Sequence, residues 1–483
     1  MLDLCLRQGA PSARRPLALF RRAGEPVPEP LRLAAAQARF NGAENEVAAL
    51  WDGARTVLLV GLGSDPNAVS CTRAGGNAAA ALLTHPRAAF DARGLPPDQA
   101  AALAEGAGLR AHAFTKYRTR DDADDPPPRL TTLDVHVAAV RPMQAAWRAA
   151  DAAVQGALFA RDLVSEPANV LTPENFCVRL QDLPGVAIEV LGPEKLRRAG
   201  MGALLGVAQG SAQAPRVAVL RRAGRIKARP LVLLGKGVCF DTGGISIKPA
   251  EKMEEMKADM AGAAACAGAM LALALRDSPA PVVAVLGLVE NAISGRAQRP
   301  GDVVRAADGS TIEIVDTDAE GRLVLADLLA WSRKTFDPVA MIDLATLTGS
   351  IITALGHHRA GLFGSTEAIV ADLCDAGEAT GERLWPMPLI NGDYGDDLKS
   401  EIADIRHCLH AMPDGGRLLP DACHAAAFLH RFAGDVPWAH IDIAGVEWRA
   451  EAAALGPVGA SGFGARLLDR LVALAFEGTR AAH

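Results

Sequence analysis

At 483 residues the chain is too long for one ordinary domain, and two domains are the default reading. Half of it is hydrophobic and 22% is charged, which excludes a disordered polyelectrolyte, and a formal net charge of −6 offers polyanions no overall attraction. The charge is uneven: residues 1–150 hold 18 Lys and Arg against 15 Asp and Glu, a net +3, and the remainder carries −9, so only the front part gives even a faint hint of nucleic-acid binding.

The Arg-rich start, MLDLCLRQGAPSARRPLALFRRAG, lacks the apolar core and small-residue cleavage site of a secretory signal, although a transit peptide is compatible with it. Residues 1–120 read as a small α/β domain. TVLLVG (56–61) is a strand, and segments 75–84 and 97–106 are Ala-rich helices. The Gly61-Leu62-Gly63 turn lacks the third glycine and acidic partner of a dinucleotide loop. DDADDPPPR (121–129) is expected to be an exposed loop. A helix over about 142–164 stops before Glu166-Pro167 and joins the domains, placed at 1–150 and 151–483.

Strands and helices then alternate. VAIEV (186–190), VAVL (217–220), LVLL (231–234), VVAVLGLV (282–289), IEIV (312–315) and MIDLAT (341–346) read as strands, and 254–275, 322–334 and 420–432 as helices. Continuous apolar strands between helices predict a mostly parallel central sheet covered on both faces, so the fold class is α/β throughout. The small-and-apolar run from Met260 to Leu275 is shorter than the ~20 residues that span a bilayer, so it is expected to be a core helix. The eight cysteines form no CxxC pair and are expected to be reduced thiols. His407, Cys408, His410, Cys423 and His424 could hold a soft metal, but a polar loop is the better reading of them.

Chemistry concentrates in two segments. LVLLGKGVCFDTGG (231–244) places Lys236 and Asp241 after an apolar strand, where α/β sheets present their ligands. VDTDAEGRLVLAD (315–327) sets Asp318 and Glu320 two residues apart and Arg322 two further on, between apolar runs. Lys248 and Asp259, the latter near the start of the Ala-rich helix, lie between. Buried carboxylates need cations. Four carboxylates with two lysines suit two divalent metals. On an extended chain Asp318 and Glu320 would sit about 6.5–7 Å apart on one face, enough to reach separate metals spaced ~3.5–4 Å. Lys236 could ligate only when neutral. Moving its pKa from ~10.4 to below ~7 costs on the order of 5 kcal/mol, and taken alone a charged Lys236 paired with Asp241 is the simpler reading. Arg322 at a helix start is either an anion site or one half of a salt bridge. Lys248 is either a surface lysine or a group that polarises a carbonyl.

These segments, with SEPANVLTPENF (165–176), GMGALLGVAQGS (200–211), EEMKADMAGAAA (254–265), RPGDV (299–303), DLATLTG (343–349) and PWAHIDIAG (437–445), resemble the cytosolic leucyl aminopeptidases over roughly 155–470. The resemblance implies that Lys236, Asp241, Asp259 and Glu320 bind one metal and Asp241, Asp318 and Glu320 the other, with manganese or zinc most expected. It implies that Lys248 and Arg322 are catalytic, that Met256, Thr346, Leu347 and Gly349 line the substrate pocket, and that Arg322 holds bicarbonate. It further implies a cytoplasmic homohexamer acting on peptides with a free N-terminus, away from membranes. The chemistry expected is attack by a hydroxide shared between the metals. The alternatives are a DNA-binding role for the front domain and an inactive structural hexamer. Three departures stand out. Asp316 replaces the family's usual Asn, an extra acid beside the metals. Cys239 replaces the usual Thr, near enough for oxidation to inactivate. Segment 415–429 differs from the usual small-residue pattern.

Overall fold

The computed structural model describes residues 2–119, 130–389, 391–409 and 419–478. The expected 121–129 loop lies outside the described residues, as do His410 and positions 415–418. The chain divides into two compact units, residues 1–158 with 449–459, and residues 159–448 with 460–483.

The first unit holds a six-stranded sheet of β1 (Asp3–Gln8), β2 (Leu17–Arg21), β3 (Val47–Trp51), β4 (Thr56–Gly61), β5 (Arg87–Asp91) and β6 (Thr132–Val137), in the order β1-β6-β5-β2-β4-β3. All neighbours are parallel except the β3–β4 pair. Helices Ala68–Leu82 and Pro97–Ala111 bury their alanine-rich faces against one side. β4 ends at Gly61. The helix Val140–Ser165 begins in this unit and ends in the next.

The second unit is built on β7 (Ala187–Leu191), β8 (Arg216–Arg222), β9 (Leu231–Asp241), β10 (Val282–Asn291), β13 (Ala340–Ala345), β14 (Ala360–Gly364), β15 (Leu384–Pro386) and β17 (Trp438–Asp442). Their order is β15-β14-β17-β13-β9-β10-β8-β7, and the central four, β17, β13, β9 and β10, run parallel. Strands β11 (Val303–Arg305), β12 (Thr311–Glu313) and β16 (Ile405–Arg406) form a small separate sheet. Along β9, Leu231 and Leu233 enter one apolar cluster while Val232, Leu234 and Val238 enter the other. Burial on both faces explains why these strands read as unbroken apolar runs. The helix Ala261–Leu275 is almost wholly buried on one side of the sheet, which makes it a core helix, and helices Gly321–Phe336 and Asp421–Ala433 cover the other.

Three local expectations need correction. β9 does not end at Leu234 but continues to Asp241, so Lys236 lies inside the strand, opposite Gly287 of β10. Gly235 and Gly237 let the Ala261–Leu275 helix pack onto the strand: a Cβ on Gly235 would stand 2.4 Å from Ala263 Cα. Asp259 is not in that helix; it caps a 3₁₀ turn, Met253–Ala258, two residues before the helix begins. Finally, the 312–315 strand is shorter and belongs to the small sheet, so Asp318 and Glu320 do not ride on an extended chain. The Asp318 amide donates to Asp316 Oδ1 at 2.9 Å, which closes a turn, and Glu320 already has helical dihedrals.

Candidate active site

The carboxyl ends of β9, β10 and β13 deliver the side chains, as expected for a parallel sheet. From within β9, Lys236 reaches between two chain segments. Its Nζ donates to Asp259 Oδ1 at 2.6 Å and to the Thr346 carbonyl at 2.8 Å, and lies 2.9 Å from Glu320 Oε1. Its partners are thus Asp259 and Glu320, not Asp241. Residue 321 must be glycine for this, because a Cβ there would stand 2.6 Å from Lys236 Cε. Asp241 closes β9 and pairs instead with Lys248, at 2.9 Å; Lys248 also pairs with Asp318. The two lysines thus bring all four carboxylates together, and Asp241, Asp259 and Glu320 form one buried cluster whose ligand oxygens lie within 4.8 Å of one another.

Neighbouring groups fix each carboxylate. Asp241 Oδ1 accepts from the Gly243 amide and from Asn291 Nδ2, both at 2.8 Å. Gly243 has φ +85°, and a Cβ there would come 2.4 Å from the Ser246 carbonyl oxygen, so this turn needs glycine. Thr317 Oγ1 donates to the Gly243 carbonyl at 2.7 Å and accepts from the Ser246 amide at 2.8 Å, joining the 243–248 loop to the 316–320 turn. Thr346 Oγ1 donates to Asp259 Oδ1 at 2.7 Å.

Electrostatics disfavour so many ionised carboxylates packed together. Burial, then the negative neighbours Asp241 and Glu320, push Asp318 up to about 7, only partly offset by Lys248. Burial likewise raises Asp259 and Glu320 above the usual carboxylate range. Burial disfavours the Lys236 ammonium, yet Asp259, Glu320 and Asp241 outweigh it and hold Lys236 protonated well above its ordinary range. A protonated Lys236 has no lone pair to give. The same carboxylates that hold its proton would lose that effect to a dication, since metal binding and ligand deprotonation are coupled.

Asp259 Oδ2 and Glu320 Oε2 are buried without a hydrogen-bond partner. Such oxygens are costly in a folded protein. A set of carboxylate oxygens with one amine suits hard or borderline dications. The residues present therefore fit a metal centre.

A cavity of about 740 Å³ opens beside this cluster. Its walls include Lys248, Asp318, Arg322, Leu347 and Gly349. Leu347 and Gly349 are thus among its lining residues. Met256 stands half-buried in the 3₁₀ turn and Thr346 is turned to Asp259, and neither lines it. Asp442, which sequence reading left without a role, holds the 347–348 wall: its oxygens accept from the Leu347 amide at 3.0 Å and from Thr348 Oγ1 at 2.7 Å.

Arg322 takes the salt-bridge form. It is 1% exposed, its Nη2 donates to both Asp421 oxygens at 2.9 Å, and its Nη1 donates to the His407 carbonyl at 3.1 Å. Cys239 is buried and its thiol is held protonated by burial, so its position does not suit ready oxidation. The His407 ring is spent on backbone, with Nε2 2.7 Å from the Asp316 carbonyl, and His424 Nε2 pairs with Asp397 at 3.0 Å. Among the described residues no Cys/His metal group forms there.

Residues 158–469 match the family model described as the cytosol aminopeptidase family, catalytic domain, and residues 29–121 match that family's N-terminal domain. A probable cytosol aminopeptidase of Gluconobacter oxydans is 50% identical over 369 residues, covering 76% of this chain and 73% of its own. One from Agrobacterium fabrum is 45% identical over 431 residues, covering 87% and 85%. Among solved structures, the bottromycin maturation enzyme BotP in complex with Mn superposes with a TM-score of 0.84 at 33% identity, over 95% of this chain and 99% of that one. A tomato leucine aminopeptidase mutant superposes at 0.85 with 30% identity, over 98% and 96%.

Proposed function

The chain belongs to the cytosol aminopeptidase family, and from that premise we propose that it removes the N-terminal residue from peptides with a free α-amine at a centre of two divalent cations. The observation that carries this reading is the buried cluster of Asp241, Asp259 and Glu320, with Asp318 beside it and unpartnered oxygens on Asp259 and Glu320.

Lys236, Asp241, Asp259 and Glu320 would hold one cation, and Asp241, Asp318 and Glu320 the other. Manganese or zinc suits this donor set, and manganese accompanies the structural relative BotP. Bound there, such a pair would supply Lewis acidity and make water a stronger nucleophile near neutral pH. The chain's own groups do the rest. Asp259, with one of the cations, would bind the substrate's free α-amine, which confines cleavage to the first residue. Lys248, freed from Asp241 and Asp318 when those bind cations, donates to the scissile carbonyl and stabilises the charge that develops on its oxygen. Leu347 and Gly349 contact the first side chain. The cytosol aminopeptidase relatives support a cytoplasmic protein; a homohexamer is proposed on the resemblance alone. No observation favours the DNA-binding alternative.

Stripping metal with a chelator and restoring manganese or zinc, assayed on aminoacyl amides and their N-acetyl forms, tests the reading. Hydrolysis should vanish, return with the metal, and be confined to free amines. Chelator-insensitive turnover, or equal cleavage of acetylated substrates, would refute it.

A further inference from the structure

Asp421 is the first residue of the helix Asp421–Ala433, 99 positions from Arg322 in sequence, yet both its carboxylate oxygens lie 2.9 Å from Arg322 Nη2. Arg322 is a demanding group to leave unpaired. It is 1% exposed, and its Nε has no hydrogen-bond partner although buried. A guanidinium so placed, beside the start of the 16-residue helix Gly321–Phe336, attracts a carboxylate-like anion. Here the chain supplies that anion itself. The Asp421 side chain is 37% exposed, and the exposed part faces the cavity that Lys248 and Asp318 also line. Asp421 therefore combines two properties: it is held by a buried cation, and it remains open to whatever enters the cavity.

We infer that Asp421 is the resident anion of the Arg322 site and carries the proton of peptide hydrolysis, so that this chain needs no free bicarbonate. The inference rests on the peptidase reading above. In the reaction the water oxygen bonds to the carbonyl carbon and loses a proton; then the C–N bond breaks and the leaving nitrogen gains one. The Asp421 carboxylate takes the first proton and returns it in the second step, ending ionised as it began. A carboxylate tethered by the fold is present in every molecule, whereas a free anion must be captured from solution, so the tether replaces a binding equilibrium with fixed placement. Arg322 holds Asp421 in position through both carboxylate oxygens.

The test uses the full-length, manganese-loaded protein and an aminoacyl p-nitroanilide in carbon-dioxide-free buffer, with bicarbonate then added. Wild-type turnover should change by less than about twofold across the titration, against the roughly 10²–10⁴-fold that a positioned proton carrier contributes. Asp421→Ala, which opens the guanidinium, should lose about 10²-fold or more in kcat and recover in part as bicarbonate rises. Asp421→Asn, which fills the same space without a basic oxygen, should be as slow and not recover. Several-fold stimulation of the wild type by bicarbonate would overturn the inference without any variant. So would full kcat in Asp421→Ala, or loss without rescue in an Asp421→Ala protein that keeps its metal content and melting temperature. A wild type with no peptidase activity when metal-loaded would instead bring down the underlying reading.

Discussion

Asn291 and Asp241 stand opposite each other at the ends of two parallel strands, and the Asn291 amide donates to Asp241 Oδ1 at 2.8 Å and to the Thr317 carbonyl at 3.0 Å. One buried amide thus sets the direction of a proposed cation ligand and ties it to the turn that carries Asp318. Outer partners of this kind are worth about 10–100-fold in metal affinity. Asn291→Ala should weaken manganese binding by that amount in a calorimetric titration while the protein stays folded. Unchanged affinity would show that Asp241 needs no such support.

Glu320→Gln separates stability from function. Glu320 is 2% exposed, and burial and Asp241 together disfavour its charge. Removing that charge should not lower the melting temperature of the metal-free protein. It should, however, abolish turnover and remove the metal-dependent stabilisation, which for the wild type at 100 times Kd is about 2.7 kcal/mol per site. A variant that still gains full stability from manganese would argue against Glu320 as a ligand.

Asp327 gives a pH-dependent contribution to stability away from the site. It is fully buried in the helix Gly321–Phe336, and its oxygens accept from the Leu204 and Ala307 amides, both at 2.8 Å. Burial pushes it from 3.8 up to about 7, with these backbone donors pulling the other way. Because the folded value is the higher one, the folded state binds more protons between the two. The contribution is therefore complete below 3.8 and is lost as pH rises through about 7. Asp327→Asn turns an amide donor toward backbone N–H groups and should cost about 1–3 kcal/mol. In urea titrations the wild type's advantage over this variant should be larger at about pH 4 than at about pH 8. The opposite trend would contradict the burial argument.

Cys239 is expected to be inert. Reactive thiols need both access and a lowered pKa, and this one is 3% exposed with its pKa raised by burial. Brief treatment with mild peroxide should leave activity intact. Rapid inactivation of the wild type but not of Cys239→Ser would show that the site opens more than its packing indicates.

Lys236 and the carboxylates were legible because each sits where charge interrupts an apolar run, a local anomaly visible without the fold, whereas Lys248 lies in an exposed stretch, with Ile247 61% exposed. Residues that position them carry no such mark. Asn291 is a single amide ending an apolar strand, and its partner Asp241 lies 50 residues away. Asp421 is legible as an acid at a helix start but not as the partner of Arg322, because that contact exists only once two helices cover the same face of the sheet. Local geometry misled where two effects competed. The apolar run LVLL was read as the whole strand, yet β9 runs on through Gly235 and Gly237, where the helix packs, to Asp241. The 312–315 run looked like a strand leading straight to the acids, but Asp316 folds the chain into a turn by accepting from the Asp318 amide. Of the six strands of the first unit only β4 was read, since short strands such as DLCLRQ carry too few apolar residues to stand out.

The most direct test is anomalous diffraction from crystals of the wild-type protein soaked in manganese. Two peaks should lie among Asp241, Asp259, Asp318 and Glu320, with the Lys236 amine turned onto one of them and Lys248 released from its carboxylates. Crystals that show no peak there, with Lys236 still paired to Asp259 and Lys248 to Asp241, would contradict the proposed centre.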